Sequence, residues 1–138
     1  MTKEFLFEHL RQLKLAIVAT SSLDHQPEAA VVGIAVTENL ELIFDTETTT
    51  KKYKNMIQNP KVAVVIGWDN ETTVQYEGEA SVLQGDGAAA LKEIYFAAYP
   101  DGRERAATWP NLVHFKITPR WIRYSNFIEP VRIEEMEF

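Results

Sequence analysis

The chain's most pointed chemistry lies in three consecutive residues. Thr50, Lys51 and Lys52 sit in the stretch FDTETTTKKYKNMIQNP, Phe44 to Pro60, where a strand gives way to a helix. Leu40 to Phe44 alternate briefly and then run apolar, as a mostly buried strand does. Tyr53, Met56 and Ile57 follow at helical i, i+3, i+4 spacing, and Asn59-Pro60 stops the helix. Thr50 is the expected N-cap, its hydroxyl accepting a backbone N–H of the first turn. The two lysines stand at the positive pole of the macrodipole, where an exposed cation is disfavoured by about 0.3–1 kcal/mol. Free N–H groups, a hydroxyl and two ammonium groups in one place suit a bound anion, a phosphate above all. A capped helix with solvated lysines has the same spacing, so the stretch alone leaves both readings open.

Other chemistry-bearing residues point less sharply. His9, His25 and His114 fall on a helix, a turn and a strand, with no pair at metal-ligand spacing, and read as structural or solvated. Ser21, Ser22, Asp24 and His25 are neighbours in one turn and cannot form a nucleophile–base–orienter array, which needs three elements. Glu134 and Glu135 point to opposite faces of an extended segment and so make poor acid–base partners. There is no glycine-rich phosphate loop, nucleophile elbow or H-E-x-x-H run. Trp68, Trp109 and Trp121 could stack on a planar ligand, or fill a core or interface. Arg103 and Arg105 are a second possible anion-contacting pair, or part of a solvated loop.

The whole chain narrows the field. Its 138 residues suit one domain, 1–138, able to bury about two-thirds of its unfolded surface. With no cysteine, disulfides, thiolate metal sites and cysteine nucleophiles are excluded. A formal charge of −6 weighs against sequence-independent nucleic-acid binding. No apolar run is long enough to span a bilayer, and the first residues lack a secretory apolar region, so a cytoplasmic location is expected.

The elements that must position Thr50 to Lys52 can be read in order. Residues 2–13 pattern as an amphipathic helix, with Leu6, Leu10 and Leu13 on one stripe. Strands are expected at 15–22 and 28–36, and a third returns through a Glu38-Asn39 turn to Asp45. Residues 61–68 are nearly all apolar and read as a strand buried on both faces. Residues 72–83 alternate cleanly, with Val74, Tyr76, Gly78, Ala80 and Val82 on one face. A helix is expected at 88–99, closed by Pro100-Asp101-Gly102, then a polar connection, then two strands, 112–118 and 120–127, split by Pro119. Six or seven strands with short connections and few helices indicate a β-barrel with helical additions.

The ordered set LAIVATSS, QPEAAVVGIAV, LELIFDTETTTKKYKNMIQNPKVAVVIGW and VQYEGEASVL resembles the FMN-binding split-barrel family related to pyridoxamine 5′-phosphate oxidase. The resemblance covers about residues 8–127 and is strongest from Leu40 to Ile66. It implies a mainly β, α+β fold, a six-stranded antiparallel split barrel with flanking helices, acting as a homodimer with FMN between subunits. It places Thr50, Lys51 and Lys52 against the flavin phosphate, Asp45 and Thr46 on the ribityl–phosphate side, and the backbone of Ala30, Val31 and Val32 along the isoalloxazine edge. Thr73 and Ser125 match further cofactor-side positions, with Trp121, Tyr124 and Asn126 as candidates to close the pocket from the partner.

The departures point away from pyridoxamine phosphate as substrate. Members that oxidise it carry arginine where Ala30 stands, glutamine near Thr73, tryptophan near Ser125, and a C-terminal Arg-Leu-His-Asp-Arg segment absent here. The chain looks more like small general-stress-type members. The implied function is an FMN oxidoreductase on a small substrate. The alternatives are a non-catalytic flavin carrier or sensor, a deazaflavin- or haem-binding relative, and an empty barrel.

Overall fold

The computed structural model describes residues 1–138. Twelve elements follow in order: α1 Lys3–Leu10, β1 Leu15–Ser21, β2 Pro27–Gly33, β3 Ala35–Val36, β4 Leu42–Glu47, α2 Lys51–Gln58, β5 Lys61–Ile66, β6 Thr72–Val82, α3 Ala88–Ala98, α4 Pro100–Thr108, β7 Leu112–Asn126 and β8 Arg132–Glu137. All strand pairs are antiparallel, in the order β2-β1-β5-β6-β7-β4-β3, with β8 added to β7. β2 and β3 are one stretch of chain broken at Ile34, pairing first with β1 and then with β4. This switch curls the sheet into a ring of six strands, which is the expected barrel, and β8 lies outside the ring. No helix is long and apolar enough to cross a membrane.

The inner face carries the core. Val18, Val64, Tyr76, Ile122 and Phe44 are all buried there, and Leu6 and Leu10 of α1 are fully buried. Phe44 stacks on Phe115, and Tyr53 of α2 meets Phe115 edge-on, which fixes α2 against the ring. The hydroxyl of Tyr76 donates to the carbonyls of Leu40 (2.8 Å) and Ile117 (3.0 Å). That contact pins the turn before β4, where Leu40 takes a positive φ of 64°.

Three expectations need correction. The polar connection after α3 is a helix, α4. Pro100 sits in its first turn, where its missing N–H costs nothing, and Asp101 pairs with Arg105 one turn on at 2.7 Å. Gly102 fits there because an added Cβ would lie 3.0 Å from the Tyr95 ring. Pro119 does not split the last strands: β7 runs through it. Pro119 lies opposite Gly78 at a register shift, which accommodates a residue with no ladder donor.

β5 is buried on one face only. Ala63 is exposed and Val65 half-buried, while Val62, Val64 and Ile66 are buried. Its apolar outer side remains uncovered in the single chain. The extended segment expected around Glu134 and Glu135 is β8, even though RIEEME is rich in glutamate, a residue depleted in strands.

Candidate functional site

β4 ends at Glu47 and the chain turns through Thr48–Thr50 into α2. Thr50 is the N-cap: its Oγ1 accepts the Tyr53 N–H (3.3 Å) and donates to the Glu47 carbonyl (3.0 Å). Thr46, buried in β4, lies with its Oγ1 3.0 Å from Thr50 Oγ1 and is left to donate. The Thr50 hydroxyl is therefore fully used in building the turn. What the turn offers outward is the N–H groups of Lys51 and Lys52, the first two of the helix, which have no intrahelical acceptor.

β2 forms the opposite wall. Its burial alternates, so Glu28, Ala30 and Val32 face inward and Ala29 and Val31 outward. Asn55 of α2 donates to the buried Thr20 hydroxyl of β1 at 3.0 Å, which holds the helix to this wall. Between helix and strands lies a cleft of about 220 Å³ whose lining includes Thr20, Glu28, Ala30, Thr50, Lys51 and Lys52, so one carboxylate shares it with the two lysines.

The two lysines differ. Lys51 is 81% exposed and its Nζ lies 3.5 Å from Glu28 Oε1. Lys52 is half-buried and has no carboxylate within ion-pair distance. Burial pushes its ammonium pKa down, against the opposing pull of Asp45. A half-buried cation beside free N–H donors is an arrangement an anion completes. The donor set therefore fits a phosphate.

The other residues expected at the site do not line this cleft. The Asp45 carboxylate is turned to the α3–α4 side of β4, where Arg105 Nη2 and Nε lie 3.2 and 3.3 Å away. Asp45 is thus bonded to Arg105 while still acting on the Lys52 ammonium, and Thr46, the next residue of the strand, takes the inward position. Val31 is outward and 61% exposed, and Val32 is buried at the inner face. Thr73 and Ser125 pair with each other across β6 and β7, and neither lines the cleft. Arg103 is bidentate to Glu93 (2.8 and 2.6 Å) and is not at the site.

Sequence reasoning did not single out Glu28, the carboxylate partner of Lys51. The signal available was its place two residues before Ala30, on the same face of the strand. Two histidines are also more constrained than expected. The Nε2 atoms of His9 and His114 are buried without a partner, and burial pushes both imidazoles below the ordinary histidine pKa.

Comparisons with known proteins agree with this architecture. Residues 2–126 match the family model described as pyridoxamine 5′-phosphate oxidase. A pyridoxine/pyridoxamine 5′-phosphate oxidase of Ehrlichia chaffeensis is 32% identical over 92 residues, 66% of this chain. The match spans 44% of that relative, less than half its length. Among solved structures, a haem-binding protein from Mycobacterium smegmatis superposes with a TM-score of 0.83 at 13% identity, over 99% of this chain and 58% of that one. General stress protein 26 from Bacillus anthracis gives 0.73 at 24% identity, over 99% and 98%. A pyridoxamine 5′-phosphate oxidase-related, FMN-binding protein from Nostoc punctiforme gives 0.67 at 13% identity, over 99% and 92%. At these identities the structural likeness shows the fold.

Proposed function

The chain belongs to the pyridoxamine 5′-phosphate oxidase family, and on that premise we propose that it is a homodimeric flavoprotein holding FMN by its phosphate at the start of α2. The observation that carries this reading is Lys52, half-buried, without a carboxylate partner, beside the free N–H groups of a helix start. The N–H groups, Lys51 and Lys52 would bind the phosphate through charge-assisted hydrogen bonds, each about 1.5–3 kcal/mol net. The inward backbone of β2 from Ala30 to Val32 would bound the ring. FMN, when bound, supplies hydride or electron transfer, and the chain supplies position and electrostatics.

The reading includes oxidoreductase activity on a small substrate other than pyridoxamine phosphate, in the cytoplasm. Dimerisation is part of it. The outer face of β2, β1 and β5 presents Val31, Ala29, Ala19 and Ala63 to solvent, an apolar surface with no helix over it. A two-fold partner there would bury this face.

One observation favours a second reading, flavin binding without turnover. Glu28, the carboxylate that lines the cleft, is already paired with Lys51, and no histidine lines it.

The deciding experiment is a visible spectrum of the purified protein after incubation with FMN and desalting, followed by titration of the Lys51→Ala, Lys52→Ala double variant. Retained flavin, with affinity at least about tenfold weaker in the variant, supports the reading. A haem spectrum, or unchanged affinity, overturns it. Steady-state oxidation of a reduced nicotinamide would then separate enzyme from carrier.

A further inference from the structure

Lys52 differs from the cleft's other cation in what surrounds it. Lys51 is mostly in water, and Glu28 Oε1 lies 3.5 Å from its Nζ. Lys52 is half-buried, lines the same cleft of about 220 Å³, and has no carboxylate within ion-pair distance. Burial lowers its pKa, which raises the share of free amine at neutral pH, and a free lysine amine is a nucleophile. Two kinds of donor share the cleft with it. The helix start presents the N–H groups of Lys51 and Lys52. Thr20, 4% exposed, also lines the cleft. Its hydroxyl accepts the Asn55 amide at 3.0 Å and keeps its own hydrogen, a donor left for a ligand oxygen. An amine beside a phosphate seat and a buried hydroxyl has the parts that acyl transfer needs.

We infer that Lys52 is a covalent modification site, whose amine takes the acyl group of an acyl phosphate, the mixed anhydride of a carboxylic acid and phosphoric acid. This role rests on the phosphate reading above and goes beyond it, since it gives the cleft a reaction of its own. The phosphate end of an acyl phosphate is singly substituted, as a monoester is, and meets the same donors. Its carbonyl carbon is joined to that phosphate through one bridging oxygen, which brings it close to an amine in contact with the phosphate. The Lys52 amine adds its lone pair to the carbonyl carbon, and the carbonyl oxygen takes up negative charge. The bond from that carbon to the bridging oxygen then breaks. Inorganic phosphate leaves with the electron pair of the broken bond and the proton lost by the amine, and an amide remains on Lys52. No oxidant or reductant enters. A bound phosphate pulls the Lys52 pKa back up, so the advantage over other lysines comes chiefly from proximity. Acylation removes the cation, and the modified cleft loses its attraction for a phosphate.

The test incubates the full chain with acetyl phosphate and follows acetyl occupancy lysine by lysine with fragment mass spectrometry. A parallel incubation uses the N-hydroxysuccinimide ester of acetic acid, which carries no phosphate. With acetyl phosphate, Lys52 should react at least about tenfold faster than the exposed Lys54 and Lys61. Inorganic phosphate or FMN should suppress that preference, and the ester should not show it. The acetylated chain should bind FMN at least about tenfold more weakly, whereas Lys52→Arg, which offers no amine there, should keep its own FMN affinity through the same treatment. Lys52 reacting no faster than Lys54, in a chain that still binds FMN, overturns this role and leaves the phosphate reading standing. An equal preference with both reagents overturns it too, because the phosphate then plays no part. A chain that binds no FMN, yet shows the preference and loses it to inorganic phosphate, keeps this role and overturns FMN as the occupant.

Discussion

Arg105 of α4 reaches back across the molecule to Asp45 of β4, placing Nη2 and Nε 3.2 and 3.3 Å from one carboxylate oxygen. The same guanidinium bonds Asp101 at 2.7 Å and the Tyr95 hydroxyl at 3.1 Å, so one side chain ties α3, α4 and the barrel together. Both partners are largely buried, with side chains 21% and 15% exposed. Arg105→Ala would leave the Asp45 carboxylate unpaired at the edge of the core. The expected loss is about 2 kcal/mol, below the 3–5 kcal/mol of a fully buried pair because some solvent reaches this one. Urea denaturation measures it, and adding Asp45→Asn should restore part of the loss. If Arg105→Ala matches the native midpoint, the pair does not hold the helices.

The two lysines of the phosphate cleft should not contribute equally. Lys51 is mostly in water and already faces Glu28, whereas Lys52 is half-buried and lacks a carboxylate partner. A charge in a drier setting is screened less, so Lys52→Ala should weaken FMN binding by at least about tenfold and Lys51→Ala by about threefold. Titration of the two single variants at low and high salt decides the order. Equal losses would show that the phosphate sits closer to solvent than the cleft implies.

Stability should fall on mild acidification. His114 is 5% exposed, and burial is the leading cause of its lowered pKa. Asp45 opposes the shift, while Lys92 and Arg105 add to it. The unfolded chain, with ordinary histidines near pKa 6.5, takes up protons before the folded one does. The stability contributed by the neutral, buried imidazole is thus complete above about pH 6.5 and is lost as the pH falls toward the folded value. His9, lowered by the same cause, adds to the effect. Thermal melts at pH 7.5 and 5.5 should differ less in His114→Phe, where the ring contacts with Tyr95 and Phe96 persist without a titrating group. An unchanged difference would assign the acid sensitivity to other groups.

The uncovered sheet face gives a prediction about assembly. Val31 projects from β2 at 61% exposure, beside outward alanines of β1 and β5. Val31→Asp places a charge in the proposed interface and leaves the core untouched. Sedimentation should show the native protein as a dimer and the Val31→Asp protein as a monomer that melts as a folded domain and retains little flavin. A Val31→Asp protein that remains dimeric would move the interface to another face.

The sequence alone determined whatever depends on local pattern. Alternation over Thr72–Val82 identifies a strand with one buried face, and Thr50 before a helical repeat identifies a cap, because side-chain period and capping chemistry act within a few residues. The order of strand, Thr-Lys-Lys, helix, Asn-Pro and apolar strand was enough to recognise the family. Tertiary structure decided what depends on residues far apart in the chain. It turned Asp45 toward Arg105 and set Glu28 against Lys51, and neither partner has a local signature. It also carried β7 through Pro119, since the tolerance of that proline comes from the register shift opposite Gly78 on another strand. The apolar outer side of β5 read as buried because sequence reports hydrophobicity and not what covers it. Only the curl of the sheet shows that, in one chain, nothing does.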